Sequence, residues 1–307
     1  MQAVQSLLQQ LVNGIQIGSV YALIAVGYTM VYGVLRFINF AHGDVYMLGA
    51  YIGSFSVAFL VSKGAPPAVQ GAAGMVMTII ACSVIGVIIE RSAYKPVRKS
   101  GRLTALITAI GVSLLLENGA QAMFGASPKA FVVQGIGGTL NLSLGAIHLN
   151  FDRGRLYVLI AAIVLTFLLV YMVRKTTIGK AIRAVSFDRE AAALMGINTD
   201  TVITLTFLLG AALAGAAGIL NHGLTQQPFD PLIGVLFGLK AFVAAVLGGI
   251  GNIAGAVLGG LLMGLTEAFV SSSQLSSFRD AFAFVILIVV LMFRPAGLLG
   301  QNLPEKV

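Results

Sequence analysis

The sequence is poor in charge, nearly free of cysteine and without tryptophan. Only 10% of its 307 residues are charged, against 58% hydrophobic. Soluble domains carry about 25% charged residues, so a soluble enzyme and a disordered chain are both excluded. One cysteine, Cys82, excludes a disulfide framework and a cysteine-rich metal centre. It sits inside an apolar run and reads as a small core residue. The three histidines, His42, His148 and His222, have no ligand spacing to one another or to Cys82, so no metal is expected. The serines of 271–277 have no nearby histidine to activate them, and neither a catalytic residue nor a cofactor is expected. The 37 glycines follow no collagen period. The first basic residue is Arg36, so the start lacks the basic region of a signal peptide. Met1–Val34 reads as a retained membrane element, with 4–12 a short interfacial helix ahead of a span.

What is present is apolar length. A spanning helix needs about 20 mostly apolar residues. Candidate spans are 17–35, 45–61, 68–89, 103–124, 157–173, 202–220 and 281–293, and the apolar stretch 236–270 is too long and glycine-rich for one plain helix. The expected fold is an all-α polytopic membrane bundle of about eight to ten membrane helices, some broken or re-entrant, in a single domain over 1–307. The net charge of +8 does not point to nucleic acid, because the basic residues fall in the gaps between apolar runs. Loops 91–102 and 174–200 hold 10 of the 19 Lys and Arg residues and are expected on the cytoplasmic side. That places 62–67, 125–156 and 221–235 outside. A weak alternation near 131–150 predicts a small hairpin. Arg294 puts the C-terminus in the cytoplasm, and the side of the N-terminus stays open.

The loop 174–200 reads RKTTIGKAIRAVSFDREAAALMGINTD, with Arg183 among its cations. Asp188–Met195 is rich in helix formers. Asp188 is a candidate N-cap and Gly196 a candidate helix end. A short helix at the membrane surface follows, either a passive connector or something more specific. Glu190, Ala191, Ala192 and, after three intervening residues, Gly196 resemble the EAA loop of ABC importer permeases, although 205–208 (LTFL) departs from the proline-containing end of that motif. In that family the loop is a coupling helix that docks on an ATPase.

Three more segments carry a closer resemblance: VYALIAVGYTMVYG at 20–33, RFINFAHGD at 36–44 and LKAFVAAVLGGIGNIAGAVLGG at 239–260. With 179–197 they resemble the branched-chain amino acid ABC permeases of the LivH type, from about residue 13 to the C-terminal LLGQNLPEKV. The resemblance implies a bacterial inner-membrane importer. A second related permease subunit, two cytoplasmic ABC ATPases and a periplasmic amino-acid binding protein would be its partners, and membrane lipid its surroundings. The sequence agrees on one point independently, since no G-x-x-x-x-G-K-[ST] phosphate loop occurs in it. Two other classes remain open. One is a related permease for urea, amides or other amino acids. The other is a carrier coupled to protons through His42, Asp44 or Glu267.

Polar residues inside apolar stretches mark candidate pathway positions. Asn39, His42, Gly43 and Asp44 form a break that either lines the path or is a tight capped turn. Gly248, Gly249, Gly251 and Asn252 read as a second break between two half-helices. Gly251, Gly255 and Gly259 are spaced by four and read as one packing face. Lys240 and Glu267 meet if the chain folds back between them, or else both snorkel to the interface. Glu117 is expected to bond between helices.

Overall fold

The structure, a computed structural model, describes residues 2–98, 100–135, 137–144 and 147–300. Lys99 of the first basic loop, Met1 and the C-terminal 301–307 lie outside the described residues. The described chain is almost wholly helical. In order it forms α1 (Gln2–Leu35), α2 (His42–Ser62), α3 (Pro67–Ile89), a π-helical turn (Glu90–Tyr94) and α4 (Lys95–Val97). Next come α5 (Arg102–Phe124), the strands β1 (Thr139–Leu144) and β2 (Ile147–Asp152), α6 (Arg153–Lys175), α7 (Thr177–Phe187) and α8 (Arg189–Leu194). The remainder is α9 (Thr199–Thr225), α10 (Ile233–Gly248), α11 (Ile253–Ser271), a 3-10 turn and α12 (Arg279–Phe293). Eight of the helices are long and apolar enough to cross a membrane, and α10, with 16 residues, is a shorter apolar helix. The chain is a multi-pass helical membrane protein.

The expected hairpin is present as β1 paired antiparallel with β2, Thr139 opposite Asp152. It sits at one end of the bundle. The basic loops lie together at the other, where Arg98 of the first bonds Asp200 beside the second at 2.8 Å. The expected interfacial helix over 4–12 does not exist as a separate element. α1 is one unbroken helix of 34 residues, because no proline interrupts it and its glycines serve packing. A side chain at Gly14 would meet Leu265 Cα at 2.7 Å, and one at Gly18 would meet Leu261 Cα at 2.8 Å. α1 starts at the hairpin end, where Gln9 Nε2 donates to the Asn150 carbonyl at 2.8 Å and Asn150 N–H donates to Gln9 Oε1 at 2.9 Å. The open question of the N-terminal side is thereby answered relative to the loops: α1 begins opposite the basic end.

α1 and α9 form the centre of the core, with Leu23, Ile24, Ala25, Val26 and Ile203 fully buried. α3, α5, α6 and α12 carry many outward apolar side chains, such as Ile80, Leu115, Phe167 and Met292. Those side chains point away from the core.

Candidate functional site

Between α1 and α2 the chain does not simply turn at the membrane edge. α1 ends at Leu35, and the Arg36 guanidinium donates to the Ser186 carbonyl at 2.7 Å, fixing that point at the basic end. α2 nevertheless begins beside Ile24, whose carbonyl lies 3.3 Å from His42 Nε2. Ile24 is about 16 Å up α1 from Leu35 at 1.5 Å per residue. Residues 37–41 therefore run back into the bundle, and α2 starts at depth. Irregular backbone at such depth is tolerated only where protein or a cavity surrounds it. Asn39, His42 and Asp44 are all buried there.

Each of these side chains has a protein partner. Asn39 Oδ1 accepts from the Tyr94 hydroxyl at 2.5 Å. The His42 ring packs on Tyr28 at 4.5 Å between centroids. Asp44 Oδ2 accepts from Ser113 Oγ at 2.5 Å, while its Oδ1 is buried without a hydrogen-bond partner. Gly43 lets the first turn of α2 lie on Gly234 and Gly238 of α10. Glu117 accepts from Ser113 at 3.2 Å within its own helix, so the expected bond between helices runs instead from Ser113 to Asp44.

The second break is a hairpin turn between α10 and α11. Gly249 and Gly251 both have positive φ, +102° and +95°, which side-chain-bearing residues rarely adopt. Asn252 caps α11 through Oδ1, which accepts from Ala254 and Gly255 N–H at 3.0 and 3.2 Å. Its amide holds the Leu299 carbonyl at 2.9 Å. Gly251 precedes α11, so the expected face of three glycines reduces to Gly255 and Gly259, which press on the carbonyls of Gly248 and Ala244. The two breaks approach one another, since Ile38 and Ile250 line one narrow pocket with Tyr28, Tyr32 and Phe242.

At the basic end α7 and α8 form a corner. The expected cap is present: Asp188 Oδ1 accepts from Glu190 and Ala191 N–H, each at 3.0 Å. Gly196 has φ +85°, and its N–H and that of Ile197 bond the Ala193 and Ala192 carbonyls, each at 3.0 Å. This doubly bonded glycine ending stops α8 sharply. Ala192 faces inward, and Arg183 bonds the Val173 carbonyl. Sequence reasoning missed α7 itself, whose start Thr176 caps through Gly179 N–H at 3.1 Å. It also missed three large apolar side chains on this corner, Phe187, Leu194 and Met195, which are 80–89% exposed. Their signal was apolar bulk inside an otherwise polar, basic loop. Beneath them lies a charge cluster. Buried Glu90 pairs with Arg98, and Asp200 takes Arg98 at 2.8 Å and Lys95 at 3.2 Å.

Two cavities open at opposite ends. One of about 500 Å³ at the basic end is lined by Tyr32, Arg36, Arg174, Arg183, Gly251 and Asn252. The other, about 440 Å³, lies at the hairpin end among Gln16, Tyr21, Arg155, Asp230, Lys240 and Glu267. Asn39, His42, Gly43 and Asp44 line neither. Lys240 and Glu267 do meet, at 3.1 Å, and Lys240 also takes Asp280 at 2.7 Å. The Lys240 and Glu267 side chains are 3% and 13% exposed, which rules out snorkelling.

A many-spanned helical bundle whose irregular backbone reaches into its interior has the build of a membrane transport protein. Residues 10–291 match the family described as branched-chain amino acid transport system / permease component, and the chain belongs to that family. It is 44% identical to the high-affinity branched-chain amino acid transport system permease protein LivH of Escherichia coli, over 98% of this chain and 97% of that protein. It is also 44% identical to the corresponding protein BraD of Pseudomonas aeruginosa, over 98% of both. The ribose import permease protein RbsC of Escherichia coli is 28% identical, over 93% of this chain and 85% of that one.

Proposed function

We propose that this chain is the membrane permease subunit of an ATP-binding-cassette importer that moves branched-chain amino acids inward. It acts as one membrane domain in the bacterial inner membrane, with the basic end cytoplasmic as the Lys and Arg distribution requires. A second related permease subunit completes the membrane core. Two cytoplasmic ATPases supply the energy, and a periplasmic binding protein delivers the amino acid at the hairpin end.

The observation that carries the ATP-driven reading is the α7–α8 corner. The end of α7 and the capped six-residue α8, stopped by Gly196, together project Phe187, Leu194 and Met195 into the cytoplasm. Exposed apolar groups of that size mark a partner surface. Arg183, Asp188, Glu190, Ala191 and Ala192 shape this coupling element. ATP-driven movement of α8 reaches the spans through Asp200, Arg98 and Glu90. The segments at Asn39, His42, Gly43 and Asp44 and at Gly248, Gly249, Gly251 and Asn252 border the path. Near-complete alignment with relatives named for branched-chain amino acid transport supports the substrate class.

The test is reconstitution of the chain with its partner subunits in liposomes loaded with ATP. Labelled leucine uptake is then followed in the presence of the binding protein. Uptake requires ATP, and deletion of 188–196 abolishes it while the chain still inserts. Uptake driven by a proton gradient without ATP would overturn the importer reading.

A further inference from the structure

The hairpin-end cavity holds polar groups that the fold leaves unused. The Arg155 guanidinium, at the start of α6, makes no hydrogen bond or ion pair among the described residues. Gln16 of α1 is 3% exposed, yet its amide Nε2 has no hydrogen-bond acceptor among the described residues. A buried donor without a partner is rare in folded proteins and calls for a ligand or water to satisfy it. Asp230, on the connection between α9 and α10, commits one oxygen to Leu232 N–H at 2.8 Å, and its other oxygen has no hydrogen-bond donor among the described residues. Arg155 and Asp230 line the same space without pairing. The floor is a cluster already closed on itself. Lys240 holds Glu267 and Asp280, and the Tyr21 hydroxyl donates to Glu267 at 2.6 Å. Ile17, Val20, Ile233, Leu236 and Phe237 supply an apolar wall. A concave space of this size, in which an apolar wall stands beside a few uncommitted polar groups, has the form of a small-molecule site.

We propose that this cavity binds the transported amino acid as its zwitterion, a step that rests on the importer reading above. The Arg155 guanidinium and the Gln16 amide take the carboxylate. The free oxygen of Asp230 takes the ammonium, and the apolar wall takes the branched side chain. One uncommitted cation facing one uncommitted anion fits a zwitterion better than a plain acid or a plain amine. Arg155 suits the carboxylate, because its planar fork donates two parallel hydrogen bonds. The site lies at the mouth facing the binding protein, apart from the narrow pocket that Tyr28, Tyr32 and Phe242 line.

The assembled complex in nanodiscs, without ATP and without binding protein, is titrated with labelled leucine, using 4-methylpentanoate and isoamylamine as competitors. Variants Arg155→Gln, Gln16→Leu and Asp230→Asn are compared with the wild type. All three leave the packed core intact, since the side chains of Arg155 and Gln16 hold nothing in place and asparagine still accepts from Leu232 N–H. Arg155→Gln and Asp230→Asn weaken leucine binding about 10-fold or more, as loss of a charge-assisted hydrogen bond implies. 4-Methylpentanoate and isoamylamine each compete at least about 10-fold more weakly than leucine, because each lacks one charge-assisted contact. Uptake driven by ATP is followed in the same preparations. If the wild type imports leucine and the variants bind and import it equally well, the cavity assignment falls and the importer reading stands. If the wild type neither binds nor imports any apolar amino acid, both fall.

Discussion

The Tyr94 hydroxyl donates to Asn39 Oδ1 at 2.5 Å, joining the π-helical turn after α3 to the segment that runs back into the bundle. Single π turns inside helices often occur at functional positions. Here the turn places Glu90 toward the charge cluster and Tyr94 toward the start of α2. Tyr94 is 1% exposed and Asn39 6%. Tyr94→Phe keeps the ring against Phe37 and Phe207, at 5.5 and 5.3 Å. It leaves a buried acceptor unsatisfied, a cost of about 1–3 kcal/mol. The variant is expected to melt at a lower temperature in detergent. Identical melting curves would mean that the hydroxyl contributes nothing to holding the segment.

Glu90 is fully buried and depends on Arg98 and on the Thr204 hydroxyl, which donates to its Oε2 at 2.9 Å. Removing one partner of a buried ion pair strands the other charge, at about 3–5 kcal/mol. Arg98→Met is therefore expected to lower the yield of folded protein and its melting temperature sharply. Glu90→Gln combined with Arg98→Met removes both charges and should recover most of the loss. Equal damage in the single and double variants would show that Arg98 acts through packing or through Asp200 rather than through Glu90.

Close approach at Gly43 predicts a contrast between two glycines. A Cβ at Gly43 would meet Gly238 Cα at 2.7 Å and the Gly234 carbonyl closer still. A Cβ at Gly111 of α5 would meet nothing within 4 Å. Gly43→Ala forces α2 and α10 apart, and overpacking of this kind costs about 1–3 kcal/mol or more. Gly111→Ala is neutral or slightly stabilising, by up to about 1 kcal/mol. Uptake and melting temperature measured together separate them. Equal behaviour of the two variants would remove the case for a tight α2–α10 contact.

What the sequence made legible was local. Apolar length located the spans, and paired glycines located the turn between α10 and α11. Asp188 and Gly196 announced the two ends of α8, and alternation announced the hairpin. These signals belong to a few neighbouring residues and survive without knowledge of the rest of the chain. The depth of α2 was not legible, because it depends on where His42 meets α1 and where Gly43 meets α10. α7 was hidden by its setting. Its apolar positions, Ile182 and Val185 among them, are spaced as on one helix face, yet cations surround them. The candidate residues Asn39, His42, Gly43 and Asp44 sit together at the buried start of α2, but their side chains bond protein and line neither large cavity. The hairpin-end cavity could not be foreseen, since Gln16, Arg155 and Asp230 come from three distant segments and carry no shared motif.

The α7–α8 corner makes the most direct demand on the proposed assembly. Phe187, Leu194 and Met195 are exposed, so polar replacements there remove no packing within this chain. Leu194→Ser together with Met195→Ser should therefore leave insertion and melting temperature unchanged. Loss of two buried apolar anchors from an interface costs several kcal/mol, about 1.5–3 for each side chain. The ATPase subunits should then no longer co-purify, and uptake should fall at least about 10-fold. Gly196→Val acts on the same corner by a different route. It forces a β-branched residue into φ +85°, at about 1–3 kcal/mol, and loosens the end of α8 without touching the docking face. Its defect should appear as weakened coupling, with ATP hydrolysed but less leucine moved. Full retention of the ATPase by the serine pair would show that docking lies elsewhere on the basic end.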